Sequence, residues 1–423
     1  MMPRLIHGLA LFQYFVNTAL SCRFHGDIGS REIIDYDAAI AHNIVARSLR
    51  KHNGTAEQMA ITNVRVFDGL VVGPPSTVII TSSGRIGSVS RPSAVCPPLD
   101  HVFDAGGMTL IPGLMDSHAH PSNISNLVSM ASNGITTTAL AACLNAELCA
   151  SLRGRAGLTQ LITASFQGTT AESSNAALVP ANEAFQFVHN ASEAPAWVAR
   201  QVAEGADFIK LIGSAPGPGL TQDEQTALVR AAHESAKQVV LHAVSYAAYE
   251  QGLIAGADQI HHAPLDVPVD DRLLGKFRRD AIKAVCPTLT MMRAIVQQAH
   301  LANSSFASAN ATVARLHAAG VSIMAGTDAN AVPGVPASVA FGTSLHDELE
   351  NLVDAGLTPL EALRAATVVP ARVYGLHDRG MIVEGARADL VLINGDPTVN
   401  ISTTRNVQRV WIGGVQFNAD NWK

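Results

Sequence analysis

Residues 111–120 read IPGLMDSHAH, a short apolar run that ends on two histidines one residue apart. On an extended segment alternate residues share a face, so His118 and His120 point the same way and can hold one cation between them. Alone, the pair is a weak signal, and turn or surface histidines are its commoner explanation. Its weight comes from the pattern downstream of it. From about 111 to 375 short apolar runs alternate with amphipathic helical stretches, the sequence form of repeated βα units around a parallel sheet. Eight strands are predicted, at 111–117, 134–140, 159–165, 207–212, 238–243, 258–262, 283–288 and 322–327. Between them lie helical stretches such as EAPAWVARQVAEG, TQDEQTALVRAAHESA and NATVARLHAAG, and LTPLEALRAATVVPARVYG closes the series. Eight is the barrel number, and in such barrels chemistry sits at the C-terminal ends of the strands.

The flanks differ from this middle. ITNVRVFDG, STVIITSSGRIGSV and HVFDAGGMTLI are β-rich and punctuated by Gly and Pro, and similar runs return only in ADLVLINGD and VQRVWIGGVQF. The expected fold is therefore α/β, a (β/α)₈ TIM barrel over 111–379 with a small β-sandwich built from both flanks, 59–110 plus 380–423. Residues 1–58 stand apart as an extension, with a helical-looking DYDAAIAHNIVARSLRKH and a turn-like NGT at 53–55.

Composition narrows the function classes. At 423 residues and 48% hydrophobic the chain can bury a large core. Its net charge of −6 gives no reason to expect a nucleic-acid or membrane-binding surface, so a small-molecule substrate is the expected partner. Five cysteines, Cys22, Cys96, Cys143, Cys149 and Cys286, are too scattered for a disulfide scaffold or a CxxC zinc site and read as small buried hydrophobes. LIHGLALFQYFVNTALS near the N-terminus resembles a signal peptide interrupted by His7, Gln13 and Asn17. Cytoplasmic location is favoured, with secretion the alternative that the N-x-S/T sequons at Asn53, Asn123, Asn190, Asn303, Asn310 and Asn400 keep open.

The predicted strand ends carry a set that core packing does not require. His118 and His120 follow strand 1, Lys210 is on strand 4, His242 on strand 5, His262 on strand 6, and Asp328 follows strand 8. Each side chain can ligate a divalent metal once deprotonated or carbamylated. Lys210, in DFIKLIGS, is flanked by apolar strand formers and would be costly to bury unpaired. Either it reaches solvent at the strand end, or its uncharged amine adds carbon dioxide and the carbamate bridges two metals. His242 and His262 each follow an apolar run, where a hydrogen-bonded core histidine is the commoner outcome. His261 is the alternative to His262, and the period of two lets only one face the barrel mouth. Asp328, in AGTDAN, also suits a simple turn.

IPGLMDSHAH, FIKLIGS, LHAV, IHHAP, PTLTMM, AGTDA, LTPLEALRAAT and GARADLVLINGDP together resemble the amidohydrolase superfamily from about Ile61 to the C-terminus. Within it the chain looks most like the imidazolonepropionase-like and Xaa-Pro dipeptidase branch, which includes ochratoxinase-like carboxypeptidases. The resemblance implies a metal-dependent amidohydrolase acting on carbon–nitrogen bonds, and a homo-oligomer. His118, His120 and Asp328 would hold one metal, His242 and His262 another, and carboxylated Lys210 would bridge both. Zinc is the default, and manganese, iron or cobalt suit the same ligands. Two cations would activate a bridging water and polarise a carbonyl. Asp328 would act as general base and then general acid, and His262 or His242 would orient the substrate oxygen if not a ligand. The substrates expected are amides such as N-acyl amino acids or dipeptides.

Two departures bear on specificity. Many relatives carry Thr-x-x-Arg-Asp after strand 2, where this chain reads GITTTALAAC, and only Pro121 to Asn133 separates HAH from strand 2. Tyr246, Arg293 and His346 are the side chains then available to contact substrate, although Arg293 equally suits an exposed helix position. A one-metal deaminase on the same scaffold would not need Lys210, whereas a cyclic amidase, lactonase or decarboxylase would share most of the set. A non-catalytic barrel should have lost ligands, and none of the six is missing.

Overall fold

The computed structural model of the chain describes residues 56–91, 99, 101–279, 283–299, 303–332 and 334–422. The leader-like run, the helical-looking 35–52 segment, Cys22 and Cys96 lie outside the described residues.

The middle of the chain forms seven parallel strands in sequence order, β6 (Leu114–Ala119), β7 (Ile135–Leu140), β8 (Gln160–Gly168), β9 (Phe208–Ile212), β10 (Val239–His242), β11 (Gln259–His261) and β12 (Ala284–Cys286). Nearly every residue in them is buried, as expected for strands covered on both faces. The eighth segment is irregular. Residues 322–330 bridge the two ends through parallel pairings of Ile323 with Val285 and of Ala329 with Ala119, so the sheet is nearly closed into a barrel. Asp116 reinforces the seam by accepting from the Thr327 hydroxyl at 2.7 Å and from the backbone N–H groups of Thr327 and His118. Gly326 leaves room for this approach, since a Cβ there would run into Cys286 Sγ and lie 2.8 Å from the His118 backbone nitrogen.

The helices follow the predicted stretches. α1 (Ile124–Ser132) fills the short link after β6, and α2 (Ala146–Leu152) follows β7. Then come α3 (Ala194–Ala203), α4 (Gln222–Glu234), α5 (Tyr246–Ala255), α6 (Asp271–Arg279), α7 (Leu289–Gln298), α8 (Phe306–Ala318) and α9 (Thr343–Asp354). Capping boxes start α4 at Thr221–Glu224 and α10 (Pro359–Ala365) at Thr358–Glu361, each satisfying amide groups that the first turn leaves open. The stretch expected as one closing helix is two, α10 and α11 (Val368–Val373), with the break just ahead of Pro370, which has no amide hydrogen to continue the ladder.

The two flanks meet in a separate curled sheet. It comprises β1 (Met59–Phe67), β2 (Val72–Ile80), β3 (Ile86–Ser90), β4 (His101–Asp104) and β5 (Thr109–Pro112) from one end of the chain. β13 (Leu390–Ile393), β14 (Val407–Ile412) and β15 (Val415–Gln416) come from the other. The strand order is β15-β14-β13-β5-β1-β2-β3, with β4 also on β1. The strands form one hydrogen-bonded sheet curled around its own core, which includes Ile61, Val78, Ile80, Leu110, Leu392 and Trp411. β5 runs into β6 through Gly113 alone, so this sheet anchors the strand that carries His118.

Candidate metal centre

β6 ends with Ala119, and the side chains of His118 and His120 turn to Asp328 across the barrel seam. His118 Nε2 lies 3.5 Å and His120 Nε2 3.0 Å from Asp328 Oδ1, while His262 Nδ1 is 3.9 Å from Oδ2. One ligand atom from each of His118, His120 and Asp328 falls within 4.8 Å of the others, a spacing that suits a single cation. The His262 ring centroid is 4.7 Å from that of His118 and 4.3 Å from that of His242. Lys210, on β9, completes the arc. All six strand-end side chains line one cavity of about 720 Å³.

The electrostatics favour uncharged, ligand-ready groups. Burial pushes the imidazoles of His118 and His262 well below their ordinary range, and the neighbouring Lys210 and histidine charges act in the same direction. His242 is held down to about 3, first by burial and then by Lys210. Burial also lowers Lys210 to about 8, with Asp328 opposing. Its Nζ and the Nε2 of His262 are both buried without a hydrogen-bond partner. A buried polar atom left unpaired costs free energy, so two such atoms beside one cavity are candidates to hold a bound group.

Strained backbone gathers at the same place. His262, Thr288 and Asp328 all have positive φ, at 75°, 47° and 58°, a region that side chains other than glycine rarely occupy. The turn at His262 explains how adjacent histidines on one strand both serve the site. β11 ends at His261, whose ring packs behind His118, and the positive φ sends the His262 side chain into the cavity. His262 Nδ1 then meets Thr288 Oγ1 at 2.9 Å, which leaves Nε2 free.

The three side chains considered for substrate contact are not brought to the cavity. The Tyr246 hydroxyl donates to Asp270 and accepts from Arg272. Arg293 donates to Asn351 at 2.6 Å and stacks over Phe306. His346 is buried against Thr404. What sequence reasoning missed lies behind the candidate ligands: Gln259, Thr288 and Asp116, together with the place of His261 behind His118. Their only signal was polarity in otherwise apolar runs. The reading of the cysteines as small buried hydrophobes needs one correction: Cys143 and Cys149 are buried but form a disulfide across the loop that leads into α2. They are six residues apart and the turn between them folds back, which a search for CxxC spacing does not detect. Cys286 is free and buried.

Residues 109–416 match the model described as the amidohydrolase family. The chain is 27% identical over 377 residues to an imidazolonepropionase of Deinococcus radiodurans, covering 77% of this chain and 88% of the relative. It is 26% identical over 380 residues to an adenine deaminase of Gluconobacter oxydans, covering 85% of this chain but 59% of that longer protein. A solved Xaa-Pro dipeptidase with bound methionine in its active site superposes with a TM-score of 0.73 at 21% identity, over 85% of this chain and 100% of the other.

Proposed function

The chain belongs to the amidohydrolase family, and on that footing we propose that it is a metal-dependent hydrolase cleaving the carbon–nitrogen bond of a small amide. The observation that carries this reading is Lys210, a buried amine without a partner in the cavity that holds four histidines and an aspartate. These residues fit a pair of divalent cations. His118, His120 and Asp328 would hold one, His242 and His262 the other, and Lys210 carboxylated by carbon dioxide would bridge them. Zinc suits this set, as do manganese, iron and cobalt. Bound there, the cations would supply a water of lowered pKa and polarise a carbonyl.

The remaining work falls to the chain. Asp328, at the centre of the ligand cluster, is placed to accept the proton of an attacking water and pass it to the departing amine, general base and then general acid. Asn330 donates to the Asp328 carbonyl at 2.9 Å and fixes the strained turn that aims the carboxylate. The deaminase reading draws on the Gluconobacter relative, yet a buried, unpartnered lysine is what a bridge requires and what a single-metal deaminase does not. The test is turnover of simple N-acyl compounds by protein loaded with zinc or manganese, beside Asp328→Asn. Turnover lost in the variant supports the reading. Ammonia release from aminated rings without any amide cleavage would replace it with the deaminase.

A further inference from the structure

Resting on the reading above, we propose that the cavity selects an uncharged amide with a bulky apolar body and discriminates against substrates carrying a free carboxylate. Apart from the six metal-site side chains, no lining residue among the described residues bears a charge. One wall is Leu144, Leu148 and Leu152 from the loop after β7 and α2. A second lining group is Met291, Met292 and Ile295 of α7. The other polar lining groups are neutral, among them Asn145, Gln167 and Asn330, and the Asn330 Oδ1 has no partner. Neutral amides and carbonyls offer hydrogen bonds that suit such groups.

Two arginines adjoin lining residues in sequence, and both are engaged elsewhere. Arg153, after Leu152, donates to the Gly205 carbonyl and to Asp207. Arg293 sits on α7 between two lining residues and Ile295, yet its guanidinium bonds Asn351 and lies over Phe306. A dipeptide or N-acyl amino acid would therefore bury its carboxylate against leucine and methionine. An unpaired buried charge is strongly unfavourable, and methionine walls adapt readily to varied apolar shapes.

The test uses a matched pair, hexanoyl anilide and N-hexanoyl-4-aminobenzoate, which differ by one carboxylate across the ring from the reacting carbonyl. With metal-loaded protein, kcat/KM for the anilide should exceed that for the acid by at least about 100-fold. Leu148→Arg should narrow the gap about tenfold or more by supplying a counter-charge at the wall. Equal or better hydrolysis of the acid would overturn the proposal. If neither compound is hydrolysed, the hydrolase reading has failed, and calorimetric binding of the same pair decides the selectivity separately. Tighter binding of the anilide supports it. Equal or tighter binding of the acid, or no binding of either, overturns it.

Discussion

The Nδ1 atoms of His118 and His261 face each other at 2.8 Å, and this contact determines which nitrogen His118 offers to the centre. Gln259 directs its NH₂ to Gln238, so its Oε1 faces His261 Nε2 at 3.1 Å and accepts a hydrogen bond from the Nε2–H. His261 Nδ1 is then a bare acceptor. It takes the Nδ1–H of His118, whose Nε2 is left with its lone pair toward Asp328. Partners behind a ligating imidazole of this kind fix its tautomer and typically shift metal affinity by about 10–100-fold. Gln259→Leu should therefore weaken metal binding by roughly that factor, read by competition with a chromophoric chelator. Unchanged affinity would show that the relay does not set the His118 tautomer.

Gly326 lies where the seam passes closest to His118. Gly326→Ala puts a methyl 2.8 Å from the His118 backbone nitrogen and against the buried Cys286 sulfur. Overpacking of this kind costs about 1–3 kcal/mol. Thermal unfolding should show that loss together with weaker metal binding, because relief of the clash must move β6. A destabilised protein with unchanged metal affinity would separate the seam from the site.

The Cys143–Cys149 disulfide closes the loop that carries Leu144 and Asn145 into the cavity wall. Replacing both cysteines with alanine should cost about 2 kcal/mol by freeing a short loop. It should also raise KM several-fold while kcat changes little, since the loop shapes the wall and holds no ligand. A fall in kcat at constant KM would contradict this division.

Glu348 sets a pH dependence away from the centre. Its carboxylate accepts from the Leu289 and Thr290 amides at the start of α7, yet burial outweighs those bonds and pushes its pKa from 4.5 to about 7. A folded pKa above the unfolded one means the contribution is fully present below about 4.5 and is lost as pH rises through about 7. The shift corresponds to about 3 kcal/mol. Relative to Glu348→Gln, which does not titrate, the parent should lose stability between pH 4.5 and 7 and then level off. A difference independent of pH would show that Glu348 keeps an ordinary carboxylate pKa.

Much of this site was legible from periodicity. The alternation of strand and helix placed His118, His120, Lys210, His242, His262 and Asp328 at strand ends, and the fold brings all six to one cavity. The supporting shell was not legible, because His118 and His261 are 143 positions apart and no spacing rule connects them. Nor could the sequence say that Arg293 turns to Asn351, since a helix position alone does not reveal which neighbour a long side chain will meet. The eighth segment, expected as a strand over 322–327 from its apolar run, is irregular with only isolated bridges, and the positive φ at Asp328, next to the Thr327 that Asp116 holds across the seam, has no local sequence signal.

The most direct measurement is metal content per chain by elemental analysis on protein purified without chelators, beside Lys210→Ala. A pair of metals bridged by Lys210 requires about two ions in the parent and fewer in the variant, with turnover lost. Equal metal content in both proteins, with near-native activity in Lys210→Ala and no short carboxylate added as rescue, would contradict it.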